Sequence, residues 1–361
     1  MSAPPGPFPP AVPTARPGSG PPPPRTPEPG YGGGGRRPRR GLGGRVVGAA
    51  LLAVAASVFT VPDLWFGLDR WSPFTQIVAF RAILLVIVTV VALALALVTL
   101  GMRRAWPFPL AMLAVVAVTA STMVPRLSAD PLPTGGTPVK VLSFNVYTGD
   151  ADVRALADLI HRERPDLIAL PEAGERYRQK LAPLIEDLGY RTDASVDRRS
   201  QDVNGVVAAV SPRFGDVTFD VGRITEDSPF PYVQVSGGNM GDLTFVAFHS
   251  VAPTAGSVAQ WRQDLEGVSR WCSASSPAIV AGDFNATLDH SVLRAATADC
   301  GDAAAQRGSA LTATWPAAFP RWLGTEIDHV FANRGATSES FEVLDLPGSD
   351  HRAILTTMRL P

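Results

Sequence analysis

Along the chain the hydrophobic pattern changes character twice. Three long apolar stretches occupy 46–61, 77–100 and 108–124, the second interrupted only by Arg81 near its start. A helix needs ~20 apolar residues to cross the hydrocarbon core of a bilayer. The second stretch has that length alone; the first and third reach it with flanking residues such as Leu42 and Trp106. Three membrane-spanning helices are therefore expected, at about 46–64, 77–100 and 106–124. From residue 139 the pattern becomes short strand-like runs between helical stripes. Residues 139–146 read as a strand ending at the polar Asn145. Apolar positions 153, 156, 159 and 160 make a helical stripe over 152–164, closed by Pro165. A short buried strand at 166–170 delivers Glu172, and a helix follows at 175–188. Strands are expected at 206–210, 233–235 and 243–248, the last presenting His249. After a helix at 257–272, a strand at 278–281 delivers Asp283, one at 327–331 carries Asp328, and one at 352–358 follows Asp350 and His351. This mixture of βαβ units and consecutive strands predicts an α/β sandwich, two packed sheets with helices outside. The polar residues collect at strand ends, where α/β sheets place their sites.

Composition sharpens the division. Residues 1–45 are dominated by Pro, Gly and Arg and offer too little apolar surface to offset chain entropy, so a disordered tail is expected. Residues 125–138, with Pro, Gly, Ser and Thr throughout, suit a flexible linker. The organisation reads as tail 1–45, spans 46–124, linker 125–138 and a catalytic domain at 139–361. Before Lys140 there are 12 basic and 4 acidic residues; from Lys140 onward there are 20 and 29, a balance of −9. So acidic a domain has no broad basic surface for a stable nucleic-acid complex, but suits a small substrate held through a metal ion. Arg36, Arg37, Arg39, Arg40 and Arg45 precede the first span, and Arg103 and Arg104 separate the second from the third. The positive-inside rule places those segments in the cytoplasm, which puts the C-terminal domain outside. An alternative use of the spans is a lipid-binding platform beside the active site. Cys272 and Cys300 belong to no CxxC or Cys/His cluster, so a structural zinc site is not expected. They are either a disulfide or two separate buried thiols.

Six segments carry the chemistry: SFNV at 143–146, PDLIALPE at 165–172, FHSVAP at 248–253, GDFNA at 282–286, IDHVF at 327–331 and SDHR at 349–352. In this order the domain resembles the endonuclease/exonuclease/phosphatase superfamily, which includes DNase I-like nucleases, inositol polyphosphate phosphatases and bacterial sphingomyelinases. The resemblance implies a DNase I-like four-layer α/β sandwich and a Mg²⁺-dependent phosphoric ester hydrolase, with Mn²⁺ as a substitute. Hydrolysis of a phosphate ester needs charge neutralisation, an activated water and a stabilised leaving oxygen. Mg²⁺ takes hard oxygen ligands and few of them from protein. Glu172 is then the best metal ligand, with Asn145 holding it or the substrate, and the resemblance places Asp350 near the metal or at a second metal site. The resemblance implies that Asp283 orients or deprotonates the water and that Asn285 binds the phosphate or the developing charge. Asp328 would fix and charge His351, which would hold the phosphate in the transition state. His249 resembles the family histidine that contacts the phosphate or protonates the leaving oxygen; which histidine is acid and which base stays open. Many family members have Gln where this chain has Pro171, which has no amide donor and a fixed φ, so the geometry behind Glu172 is in question.

His161, on a helix, His290, at a helix start, and His329, facing away from Asp328 on its strand, have ordinary structural readings. The loop at 312–323, with Trp315, Phe319 and Trp322, either faces substrate or packs. A membrane-anchored phosphoesterase acting outside the cytoplasm on a small phosphodiester, phosphomonoester or lipid head group is the leading expectation. A membrane-tethered nuclease is the alternative within the enzyme class. A catalytically inactive receptor or scaffold is the alternative of another class, and it predicts lost site residues, whereas all eight are present.

Overall fold

The computed structural model of the protein describes residues 42–361 and a few isolated positions before residue 14. The tail expected to be disordered, with Arg36, Arg37, Arg39 and Arg40, lies outside the described residues. The chain divides into 1–41 and 42–361, and the second unit is described here.

It opens with α1 (Leu42–Thr60), the short α2 (Phe74–Val78), α3 (Arg81–Gly101) and α4 (Pro107–Met123). Three helices are long and apolar enough to cross a membrane: Leu42–Thr60, Arg81–Gly101 and Arg103–Leu127. Helix α4 packs between α1 and α3, and Val88, Ala92 and Met112 are buried where α3 meets α4. One expectation needs correcting. The second apolar stretch is not one helix from 77, because Ile77 and Val78 belong to α2 and Arg81 opens α3. The guanidinium of Arg81 is fully buried against Asp63, Asp289 and Thr122, so the charge is neutralised at the helix start.

The remainder contains twelve strands: β1 (Thr137–Ser143), β2 (Leu167–Pro171), β3 (Arg191–Ala194), β4 (Val206–Val210), β5 (Val217–Gly222), β6 (Tyr232–Gly237), β7 (Thr244–His249), β8 (Ala278–Asp283), β9 (Cys300–Asp302), β10 (Asp328–Asn333), β11 (Thr337–Leu344) and β12 (Ala353–Leu360). They form two six-stranded sheets, ordered β11-β12-β1-β2-β4-β3 and β5-β6-β7-β8-β10-β9. Between them lies a core built from alternate side chains such as Val139, Val141, Leu167 and Val206 facing Phe245, Ala247, Ile279 and Val330. The other face of the first sheet is covered by α5 (Val153–Glu163) and α6 (Glu175–Leu181), and that of the second by α7 (Val258–Gly267) and α8 (Ser269–Cys272). Both faces being covered, central strands such as β2, β4 and β8 are buried throughout. This is the expected DNase I-like α/β sandwich.

Local boundaries follow local chemistry. Helix α5 starts where the Asp152 carboxylate accepts from the amides of Arg154 and Ala155, and ends at Arg164 in the left-handed region. Helix α6 stops at Leu181, earlier than the pattern over 175–188 suggests, and a 3₁₀ turn containing Pro183 follows. Cys272 and Cys300 are joined in a disulfide. The Pro-rich segment before β1 is anchored at its start, where the Asp130 amide donates to the Gln306 carbonyl at 2.9 Å.

Candidate active site

Register assembles the site. Strands β7 and β8 run parallel with His249 opposite Asp283, and β8 and β10 run antiparallel with Asp283 opposite Asp328. Three polar residues therefore stand in a row across neighbouring strands of the second sheet. The first sheet contributes Asn145 just beyond β1, Glu172 just beyond its parallel neighbour β2, and Asp350 with His351 just before β12, the antiparallel neighbour of β1. All eight sequence-derived candidates come together at this one end of the sandwich.

The Asn145 amide ties the sheets together: Nδ2 donates to Glu172 Oε1 at 3.1 Å and to Asp283 Oδ2 at 2.9 Å, while Oδ1 accepts from the Tyr147 amide. Glu172 Oε2 accepts from the Thr148 amide at 2.7 Å. His351 Nδ1 bonds to Asp328 Oδ2 at 2.9 Å, and His351 Nε2 faces Asp283 Oδ2 at 3.7 Å. His249 Nε2 approaches the same oxygen at 3.8 Å, and its ring stacks on Phe230 with centroids 4.5 Å apart. The Asn285 amide N–H donates to Asp283 Oδ1 at 2.7 Å, and Asn285 Nδ2 donates to the Ser250 carbonyl at 3.0 Å. Asp350 Oδ2 accepts from Trp315 Nε1 at 3.1 Å, and its Oδ1 is buried without a donor.

The backbone is strained where these side chains are aimed. Glu172 has φ 57° and Asn285 has φ 47°, in the left-handed region that non-glycine residues rarely occupy. Gly282 shows why GDFN begins with glycine: a Cβ there would stand 1.8 Å from the Phe248 carbonyl oxygen of β7. Phe284 turns inward against Phe248 and Phe331, leaving Asp283 and Asn285 to the cleft. The doubt attached to Pro171 is met locally. Its missing amide is at the end of β2, and its carbonyl accepts from the Val146 amide at 3.0 Å, which fixes the turn leading to Glu172.

Burial sets the charges. It holds the His249 imidazole down to about 3, helped by the positive charge of His351. It pushes Asp283 up to about 7, with the neighbouring Asp328 carboxylate adding to the rise. Burial also opposes charge on His351, but the carboxylates of Asp328 and Asp283 outweigh it and raise that ring to about 10. His249 is thus neutral and His351 is the cation of the cleft. Ligand-type atoms of Asp283, Asp328 and His351 lie within 4.8 Å of one another, a spacing that a metal also uses. Here His351 Nδ1 is already committed to Asp328, and the carboxylate oxygens of Glu172 and Asp350 are of the type a hard cation takes.

The three other histidines lie apart from this chemistry. His161 bonds to the Leu184 carbonyl on the outer layer. His329 is buried between Asp302 and the Ala286 carbonyl. His290 is buried with Nε2 at 2.9 Å from the Thr75 carbonyl, at the edge of the cleft. A cleft of about 480 Å³ opens over the cluster. Trp315 lines it, whereas Phe319 and Trp322 stay exposed outside. Among the lining residues that sequence reasoning missed are Phe230, and Thr75, Gln76, Ala79 and Phe80 from the connection between the first two membrane-type helices. Only the aromatic character of Phe230 and Phe80 gave any signal.

Fold and cleft define a DNase I-like α/β sandwich with carboxylate, amide and imidazole groups gathered at the strand ends of both sheets. The chain belongs to the Endonuclease/Exonuclease/phosphatase family, whose signature matches residues 142–351. Members of this family hydrolyse phosphate esters and generally use divalent metal ions. Among solved structures, a family protein from Leptotrichia buccalis is 15% identical with a TM-score of 0.49, the match covering 62% of this chain and 100% of that one. A family protein from Bacteroides thetaiotaomicron is 15% identical with a TM-score of 0.47, covering 62% and 96%. D. rerio TDP2, in complex with a single-strand DNA product, is 18% identical with a TM-score of 0.48, covering 62% and 99%. No curated protein matches the sequence.

Proposed function

We propose that the protein is a membrane-anchored, Mg²⁺-dependent phosphoesterase with its catalytic domain, 139–361, outside the cytoplasm, carried by three spans within 46–124 and a linker at 125–138, with the tail 1–45 inside. The observation that carries the reading is the convergence of Asn145, Glu172, His249, Asp283, Asn285, Asp328, Asp350 and His351 on one cleft from both sheets. Support for the membrane part comes from the three apolar helices and the placement of Arg45, Arg103 and Arg104. The disulfide fits an oxidising compartment.

The residues present fit a hard divalent cation. Glu172 projects a carboxylate from a strained strand end, and Asp350 has a buried oxygen with no donor. A cation bound by these oxygens supplies charge neutralisation at the phosphoryl group. Asn145 keeps Glu172 and Asp283 in register through its two amide hydrogens. Asp283, buried and with its proton affinity raised towards neutrality, accepts the proton of the attacking water. His351, charged and held by Asp328, presents its Nε2–H to a phosphoryl oxygen as negative charge accumulates. Asn285 has one amide hydrogen on Ser250 and keeps the other for the phosphate. His249, neutral and stacked on Phe230, faces the leaving oxygen.

The test uses the full chain in detergent with bis-p-nitrophenyl phosphate and Mg²⁺ or Mn²⁺. Turnover that disappears in Asp283→Ala and His351→Ala, with both variants folded, is the expected result. Turnover unchanged in both refutes the assignment.

A further inference from the structure

The cleft is not built by the catalytic domain alone. The connection between α1 and α3 supplies Thr75, Gln76, Ala79 and Phe80 to its lining. That connection is fastened beside the site by several contacts, among which the ion pairs of Arg81 are buried. Gln76 Nε2 donates to the Pro253 carbonyl, and Thr325 Oγ1 donates to the Ala79 carbonyl at 2.7 Å. The Ser291 amide donates to Asp69 Oδ2 at 2.6 Å. Asp63 pairs with Arg81 and with Arg294 at 2.7 Å, and Arg81 also reaches Asp289 at 3.0 Å. Residues 287–294, which receive most of these contacts, directly follow the GDFNA segment that carries Asp283 and Asn285.

The placement of this wall relative to the helices is informative. Phe80 immediately precedes Arg81, the first residue of the 21-residue apolar α3. The same connection leaves Leu64, Phe66 and Trp71 exposed, large apolar and aromatic side chains of the kind that settle at the boundary of water and lipid. The cleft is also lined by Phe230, Pro253, Trp315 and Ile327. The cleft thus joins a polar catalytic cluster to a largely apolar lining, of which Ala79 and Phe80 run directly into a membrane-type helix. A sugar phosphate leaves such a wall unmatched, and a nucleobase matches its aromatic rings but not its continuation into α3. A phosphate ester with an acyl chain matches both halves.

Resting on the phosphoesterase reading above, we propose that the substrate is a lipid phosphate ester taken from the adjoining leaflet, and that residues 75–80 select it by holding its apolar part beside Phe80 while the phosphate reaches Asp283 and His351. The shared chemistry is the phosphate ester; the acyl chains are what this wall recognises.

The experiment compares dioleoyl phospholipids bearing choline, ethanolamine, glycerol, inositol or no head group, in mixed micelles, with their deacylated water-soluble counterparts, using the full chain and Mg²⁺. At least one diacyl ester is expected to exceed its deacylated partner in kcat/KM by about a hundredfold, the order that burying a few methylene groups allows. Phe80→Asp is expected to cut that ratio at least about tenfold, and Phe80→Ala by less. Thermal unfolding of both variants checks that the connection still docks. Equal turnover of diacyl and deacylated esters, or a ratio unmoved in a folded Phe80→Asp variant, overturns the proposal while hydrolysis of bis-p-nitrophenyl phosphate leaves the phosphoesterase reading standing. Failure on every ester, the activated one included, removes that reading and this proposal with it.

Discussion

Replacing Asp328 by Asn separates the chemistry of this cleft from its stability. Asp328 is fully buried, and its Oδ2 holds His351 Nδ1 at 2.9 Å while its Oδ1 has no donor. A hydrogen bond to a charged group is worth about 1.5–3 kcal/mol. At about 1.4 kcal/mol per tenfold, losing it from the transition state alone costs about 10- to 150-fold in rate. Asn adds a second effect. Its NH₂ can donate to Nδ1 and so shift the imidazole proton to the wrong tautomer, a change that costs about 10⁴ in the Ser-His-Asp triad. Asp328→Asn should therefore lower kcat/KM by a factor between about 10² and 10⁴.

Stability should change little, because the lost pairing with the His351 cation and the relieved repulsion against Asp283 oppose each other. Asp283 and Asp328 are both buried carboxylates on paired strands, and the charge of Asp328 is, after burial, the main reason that Asp283 holds its proton so tightly. Removing one of two neighbouring like charges relieves repulsion. The assay is kcat/KM on bis-p-nitrophenyl phosphate beside the unfolding midpoint in the same detergent. A folded variant within about threefold of the parent in kcat/KM refutes the role given to the pair, because even the bare hydrogen bond demands more. A loss of activity matched by a comparable loss of folded protein refutes it too.

Two further outcomes follow from named contacts. Glu172→Gln keeps the shape of the side chain but removes the charge best placed for a cation, so Mn²⁺ affinity, followed by calorimetry or by spin resonance, should fall at least about tenfold, the loss that outer-shell substitutions at metal sites already produce. Asp289→Ala removes the acceptor that Arg81 and Arg126 share in the interior and should cost about 3 kcal/mol, the low end for breaking a buried pair because Arg81 keeps Asp63; a thermal midpoint in detergent equal to that of the parent would show that the docking of the α1–α3 connection does not depend on this network.

What was legible in the sequence depended on where each strand sits. All eight central strands, β1, β2, β4, β6, β7, β8, β10 and β12, announced themselves as apolar runs. The four that did not, β3, β5, β9 and β11, are the edges of the two sheets. An edge strand is covered on fewer sides, so its sequence carries no compact apolar run: β3 reads RTDA and β11 reads TSESFEVL. The site was legible for the same reason. Its residues cap central strands, so each polar group stood out against the apolar run before it, as Asp283 does after Ala278–Val280 and His249 after Phe245–Phe248. Phe230 lies in a loop with no such run before it, and its stacking on His249 depends on tertiary placement alone.

The connection between α1 and α3 was illegible for a deeper reason. Its composition, with Asp63, Asp69, Trp65 and Trp71, is that of any loop at a membrane surface, where acidic residues read only as a mark of the non-cytoplasmic side. The structure gives the same charges a second task. Asp63 and Asp69 accept from Arg294 and the Ser291 amide, and Arg81 meets Asp289, partners that lie more than 200 residues away in the chain. Pairing over such a separation leaves no periodicity, spacing or motif to read. Desolvation nevertheless makes it specific: the Arg81 and Asp289 side chains are buried, and a lone charge there would be expensive. The buried charges that a membrane-span reading treats as interruptions thus fix the first two helices to the α/β sandwich, and the wall of the cleft is set by the same contacts that hold these helices in place.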